Sequence, residues 1–133
     1  MGVLLDTSFL LDLLRSKPAA VTKARDLDKR DDTLILATPV LYEVATGFVY
    51  ARSRSEEAAL QSLASKYLIM PFDEASARRA AEIRAEFLRL GKAKPEVDVM
   101  IAGMASAAGH SLVSGDRDLH QIGKAFAMTV EGY

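Results

Sequence analysis

The chain has no cysteine and no tryptophan, and only two histidines among its 133 residues. Without thiols it has neither disulfides nor thiolate metal ligands, and His110 and His120 are too few for a histidine-rich zinc centre. Any bound metal must therefore sit on oxygen ligands, which favours Mg²⁺, Mn²⁺ or Ca²⁺. Long hydrophobic runs are also missing. Residues 1–14 are apolar but carry Asp6 and Asp12 and have no basic start, unlike a secretion signal. Residues 97–108 are too short and too rich in small side chains to span a bilayer. The expectation is a soluble cytoplasmic protein with no membrane association. Neither charge sign is in excess: 17 basic and 18 acidic residues leave a net charge of −1, which by itself says nothing about a nucleic-acid partner. With four carboxylates given to a metal, the remainder carries +3, which suits a phosphate substrate. Half of the residues are hydrophobic and a quarter are charged, so one globular domain over residues 1–133 is expected without covalent staples.

The order of elements is legible from periodicity and punctuation. Val3-Leu4-Leu5 reads as a first strand ending at Asp6. Phe9, Leu10, Leu13 and Leu14 then recur at helical spacing. Pro18 opens a second helix over 19–30, and Leu34-Ile35-Leu36 is the second strand. Thr38 and Pro39 start a helix to about residue 52, with Thr38 as cap. Ser53 and Glu56 have capping-box spacing for a helix reaching residue 66. Residues 68–70 form the third strand, and Asp73 caps a long helix stopped by Gly91. Pro95 begins another helix, stopped by Gly109. Residues 111–113 form strand four, Asp118 lies in a short helix, and 127–130 form strand five. Strands separated by helices imply a parallel α/β sheet covered on both faces, whose ligands bind beyond the carboxyl ends of the strands.

Four acids fall where that edge is expected. Asp6 and Asp116 follow strands one and four, while Glu43 and Asp98 lie in the early turns of helices. Each alone has an ordinary reading. An aspartate after a strand is often a helix cap, and an acid near a helix start is favoured by the dipole. Together they can converge on one point, where mutual repulsion raises their pKa values unless a cation intervenes. A divalent ion resolves that conflict and then supports phosphoryl chemistry, so no histidine base is required.

These segments resemble the PIN domain family. Residues 3–8 (Val-Leu-Leu-Asp-Thr-Ser) are similar to its opening, and Glu43-Val44-Ala45-Thr46-Gly47 to its glutamate-then-glycine helix. Asp98-Val99-Met100-Ile101-Ala102 resembles its third acidic motif, and Leu112-Val113-Ser114-Gly115-Asp116-Arg117-Asp118 its fourth. The size is similar to that of the VapC-type toxins of prokaryotic toxin–antitoxin pairs. The resemblance implies a three-layer fold with a parallel five-stranded sheet in the order 3-2-1-4-5. It also implies Mg²⁺- or Mn²⁺-dependent endoribonuclease activity. The implied catalytic and metal-binding residues are Asp6, Glu43, Asp98 and Asp116, supported by Ser114, Asp118 and Ser8. The implied partners are an RNA substrate, a cognate antitoxin whose tail places an arginine or lysine against the acids, and a second copy of the chain. Gly103 stands where the family commonly has alanine, and Leu119 where it commonly has phenylalanine. Neither change removes a ligand.

The alternatives are weaker. A non-catalytic PIN-like module that binds RNA or protein would be expected to lose acids, and all four are present. A phosphatase with a strand-one aspartate nucleophile wants a second acid two residues on, where this chain has Ser8. No Gly-x-Gly-x-x-Gly follows strand one, which disfavours dinucleotide binding. Arg15, Lys17, Arg52 and Arg54 are candidate contacts to an RNA backbone, although charged helix ends are more often only solvated. Phe48, Tyr50 and Leu60 are candidates for either core or dimer surface.

Overall fold

The computed structural model describes all residues, Met1–Tyr133. Five parallel strands form one sheet: β1 (Gly2–Leu5), β2 (Thr33–Ala37), β3 (Leu68–Met70), β4 (Ser111–Val113) and β5 (Val130–Glu131). Their spatial order is β3-β2-β1-β4-β5, as the resemblance implied. The helices are α1 (Thr7–Leu14), α2 (Pro18–Asp28), α3 (Thr38–Tyr50), α4 (Arg54–Ala64), α5 (Glu74–Arg89), α6 (Glu96–Ala108) and α7 (Arg117–Ala125). None is long and apolar enough to cross a membrane.

The central strand shows why the layers form. Every residue of β1 is buried, as expected for a parallel strand covered on both faces. The two-residue period sends Leu4 to one face, where it joins Ile35, Leu112, Ile101 and Met104 beneath α3, α5 and α6. Val3 and Leu5 point to the other face and meet Phe9, Ala20, Leu27 and Val113 beneath α1 and α2. Register fixes the edge: Leu5 lies beside Val113 and Leu4 beside Ile35, so the ends of β1 and β4 are level. The residues following those two strands, Asp6 and Ser114–Asp116, therefore emerge side by side at the point where strand order reverses.

The tightest helix pair is α5 on α6. A side-chain carbon on Gly103 would come within 2.6 Å of the Cβ and backbone nitrogen of Ala80 and 2.7 Å of the Ser76 carbonyl oxygen. The glycine thus lets α6 reach the sheet with α5 stacked directly above it. At the far end of α6, Gly109 takes a left-handed conformation with φ of +71° and turns the chain into β4.

Three local expectations change. Thr38 lies inside α3 rather than capping it, and its Oγ1 accepts from the Phe72 N–H at 3.3 Å, tying the β3–α5 connection to the α3 start. Ser53 and Glu56 do not form a reciprocal box. The Ser53 hydroxyl donates to Glu56 Oε1 at 3.2 Å, and no side chain caps the α4 backbone. Strand five begins later than residue 127, because Ala127 has φ of +53° and cannot continue extended pairing. Pairing starts at Val130, opposite Leu112.

Candidate active site

Asp6 stands at the exit of β1 with 2% of its surface exposed. The Phe9 N–H donates to its Oδ1 at 2.8 Å, so the ordinary capping role is real. Capping is only part of its environment. The Ser8 hydroxyl lies 2.8 Å from Oδ2 and 3.0 Å from Oδ1, and the Ser114 hydroxyl donates to Oδ2 from the end of β4. Ser114 is completely buried, and its oxygen in turn accepts from the Asp116 N–H at 2.8 Å. Ser8 Oγ accepts from the Gly115 N–H at 3.3 Å. These bonds join the β1 and β4 exits and hold the Asp6 carboxylate in one orientation. Burial nevertheless pushes Asp6 above the usual carboxylate range, against the donors Ser114, Phe9 N–H and Ser8, and with added repulsion from Asp116.

Asp116 caps α7 by accepting from the Asp118 N–H at 3.0 Å. Asp98, in the first turn of α6, faces it. Asp98, Asp116 and Asp118 each offer a carboxylate oxygen within 4.8 Å of the other two. Asp98 is buried, and its Oδ2 has no hydrogen-bond partner. Burial, and next the adjoining Asp116 carboxylate, then Asp6 and Asp118, push Asp98 up to about 8. A buried carboxylate oxygen with no donor, facing two further acids, is an arrangement that a cation completes. The all-oxygen donor set fits a hard divalent ion such as Mg²⁺ or Mn²⁺.

Glu43 is placed differently. It is exposed in the second turn of α3 and belongs to no acidic cluster of this kind. It lines a neighbouring groove with Thr7, Leu11, Arg15, Gly47 and Glu56. Thr7 directly follows Asp6, so Glu43 flanks the acids along α1. Gly47 leaves open space one turn further along α3.

Two residues at the site were not singled out by the sequence. Lys94 has only 7% of its side chain exposed, and its ammonium donates to Asp118 Oδ1 at 3.0 Å and to the Gln121 side-chain oxygen. The only available signal was a basic residue immediately before Pro95, which is weak. His120, which had no predicted partner, lies 2.8 Å through Nε2 from the Ser114 carbonyl oxygen and so braces the strand-four exit. The proposed backbone contacts fare unevenly. Lys17 pairs with Asp12 at 3.2 Å, and Arg15 shares its groove with Glu43 and Glu56. Phe48 and Leu60 belong to the core, whereas Tyr50 is 89% exposed.

Comparison with known proteins agrees with this architecture. Over 122 residues the chain is 26% identical to the tRNA(fMet)-specific endonuclease VapC of Shigella flexneri, covering 90% of this chain and 91% of that one. VapBC2 of Rickettsia felis, bound to a DNA fragment from its promoter, has the same fold. The TM-score is 0.86 at 20% identity, over 99% of this chain and 98% of the other. VapBC-5 of Mycobacterium tuberculosis, a member of the VapBC family of toxin–antitoxin systems, gives 0.74 at 21% identity over 99% and 98%. The family model for the PIN domain matches residues 3–125, and the chain therefore belongs to the PIN domain family.

Proposed function

We propose that this protein is a metal-dependent endoribonuclease and the toxin of a VapBC-type toxin–antitoxin pair, its domain spanning residues 1–133. The observation that carries the reading is the acidic cluster of Asp98, Asp116 and Asp118 at the sheet edge, with the buried, partnerless Asp98 Oδ2. Asp98 and Asp116 are the residues best placed to hold Mg²⁺ or Mn²⁺, with Asp118 at the rim and Asp6 oriented toward them by Ser8 and Ser114. When bound, a divalent ion supplies charge neutralisation at the scissile phosphate and eases loss of a proton from the attacking water. Asp6, fixed by three donors, accepts and orients that water from one side. Glu43 stands over the flanking groove, where it orients substrate or a second set of waters. Ser114 keeps Asp6 and the Asp116 N–H in register, so the two strand exits act as one unit.

RNA is the substrate class supported by the family and by the tRNA(fMet)-specific Shigella flexneri relative. An antitoxin would inhibit by laying an arginine or lysine against the same carboxylates, a charge-assisted contact in place of the ion. Both events belong in the cytoplasm. A homodimer would use the exposed face of α3, where Tyr42, Val49 and Tyr50 are 71%, 58% and 89% exposed. Sedimentation of Tyr50→Asp against the parent chain tests that face, and unchanged mass would remove it.

The decisive experiment is cleavage of a mixed pool of structured and single-stranded RNA with Mg²⁺, Mn²⁺ or EDTA, by the parent protein and by Asp98→Asn. Cutting that needs metal and disappears in the variant supports the reading. RNA that is bound by the folded, antitoxin-free protein yet stays intact in every metal would instead indicate a binding module.

A further inference from the structure

We propose that the lysine-lined groove between the α5–α6 connection and α7 carries the RNA strand on one side of the scissile phosphate; this rests on the nuclease reading above. The groove, about 650 Å³, is bounded by Phe87, Leu90, Lys92, Lys94, Gln121 and Lys124. No acid lines it. Lys92 and Lys124 are exposed and form no ion pair. Lys94 lies at its inner end, 5.4 Å above the Phe87 ring, with its ammonium on Asp118. Lys94, which lines the groove, thus links it to Asp118 at the rim of the acidic cluster.

Charge selects this route over the one suggested by the sequence. An acidic cluster repels a polyanion, so cations must lie beside it to draw the strand in. On the α1–α3 side, Arg15 faces both Glu43 and Glu56 in its groove, Lys17 is occupied by Asp12, and Arg52 and Arg54, though exposed and unpaired, do not line that groove. On the α7 side Lys92 and Lys124 form no ion pair and face no lining carboxylate, while Lys94 is held by Asp118. Beside the lysines, Leu90, 56% exposed, adds apolar surface to the groove. An acidic peptide would match the charge too. It has no need to continue into a cluster of aspartates, whereas a phosphodiester chain must place a phosphate there.

The test is the double variant Lys92→Gln/Lys124→Gln, with binding of a fluorescein-labelled single-stranded RNA measured on an Asp98→Asn background at several salt concentrations. Loss of two phosphate contacts should lower the slope of log affinity against log salt by about 1.4 and weaken binding about 25-fold near 0.1 M salt. An unchanged slope with an unchanged thermal melt overturns the groove assignment. If RNA affinity holds while binding of the co-expressed antitoxin falls, the groove is a protein-docking surface and the proposal is wrong. The cleavage assay on chains without Asp98→Asn separates the two levels. A parent protein that cuts RNA alongside a double variant with parental KM condemns the groove alone. A parent protein that cuts no RNA in any metal condemns the nuclease reading and the groove with it.

Discussion

Replacing Asp98 by asparagine should make the metal-free protein more stable and its metal-bound form less so. The side chain keeps its shape, but the like-charge repulsion disappears. The new amide can donate to Asp116, which the ionised carboxylate cannot do. The size of the effect follows from the proton affinity of Asp98, raised from 3.8 to about 8 chiefly by burial and by Asp116. At about 1.4 kcal/mol per pH unit, that rise sets a ceiling of roughly 6 kcal/mol for forcing the carboxylate to ionise. Side-chain relaxation and water entry at the cluster should leave about 2–3 kcal/mol.

The sign is determined by which state holds the proton. The folded protein keeps it until about pH 8, while the unfolded chain releases it near 3.8. Between those values the folded state binds more protons, so stability in EDTA falls as pH rises through this window. The penalty is absent near pH 4 and complete above about 8. Urea unfolding in EDTA should therefore show Asp98→Asn ahead of the parent by about 2–3 kcal/mol at pH 9 and nearly level with it at pH 4.5. Saturating Mn²⁺ should reverse the order, since ligand at a thousand times its Kd adds about 4.1 kcal/mol to the parent alone. An Asn variant less stable at pH 9 in EDTA, or one that gains as much from Mn²⁺ as the parent, would refute the reasoning.

Further outcomes follow from single contacts. Ser114→Ala deletes the hydroxyl that bridges Asp6 and the Asp116 N–H; cleavage should fall about 10- to 100-fold while the circular dichroism spectrum is retained. Ser114→Thr keeps the hydroxyl and should restore most of the rate, and failure of that rescue would argue against the bridge. Gly103→Ala sets a helix-propensity gain of about 1 kcal/mol against overpacking. The added methyl meets backbone atoms of α5 at 2.6–2.7 Å, which cannot swing aside, so packing should win by about 1–2 kcal/mol. A urea midpoint at or above the parent's would show that α5 lifts without cost.

Strand and helix order was readable because the apolar runs are short, cleanly punctuated and distinct in period. Asp73 before α5 and Gly109 after α6 act within a few residues of themselves, so their roles were visible locally. Thr38 was misread because its alternative partner, the Phe72 N–H, comes from 34 residues away. Ser53 failed as a cap because its hydroxyl found the Glu56 side chain before the backbone. The start of β5 moved because the positive φ at Ala127 breaks extended backbone there.

The acids divide along the same line. By itself the sequence determined that oxygen ligands must hold any metal, that Asp6 and Asp116 follow strands, and that Asp98 opens a helix. Those are matters of composition and local spacing. Only the tertiary structure decided that Asp98, Asp116 and Asp118 form the tight group while Glu43 stands apart. It alone showed that Ser114 and Ser8 clamp Asp6, and that Lys94 is buried against Asp118. Burial and, Ser8 apart, the approach of side chains between 18 residues (Asp98 to Asp116) and 108 residues (Asp6 to Ser114) distant in the chain set those relations. They depend on strand order and register, which no stretch of sequence expresses alone.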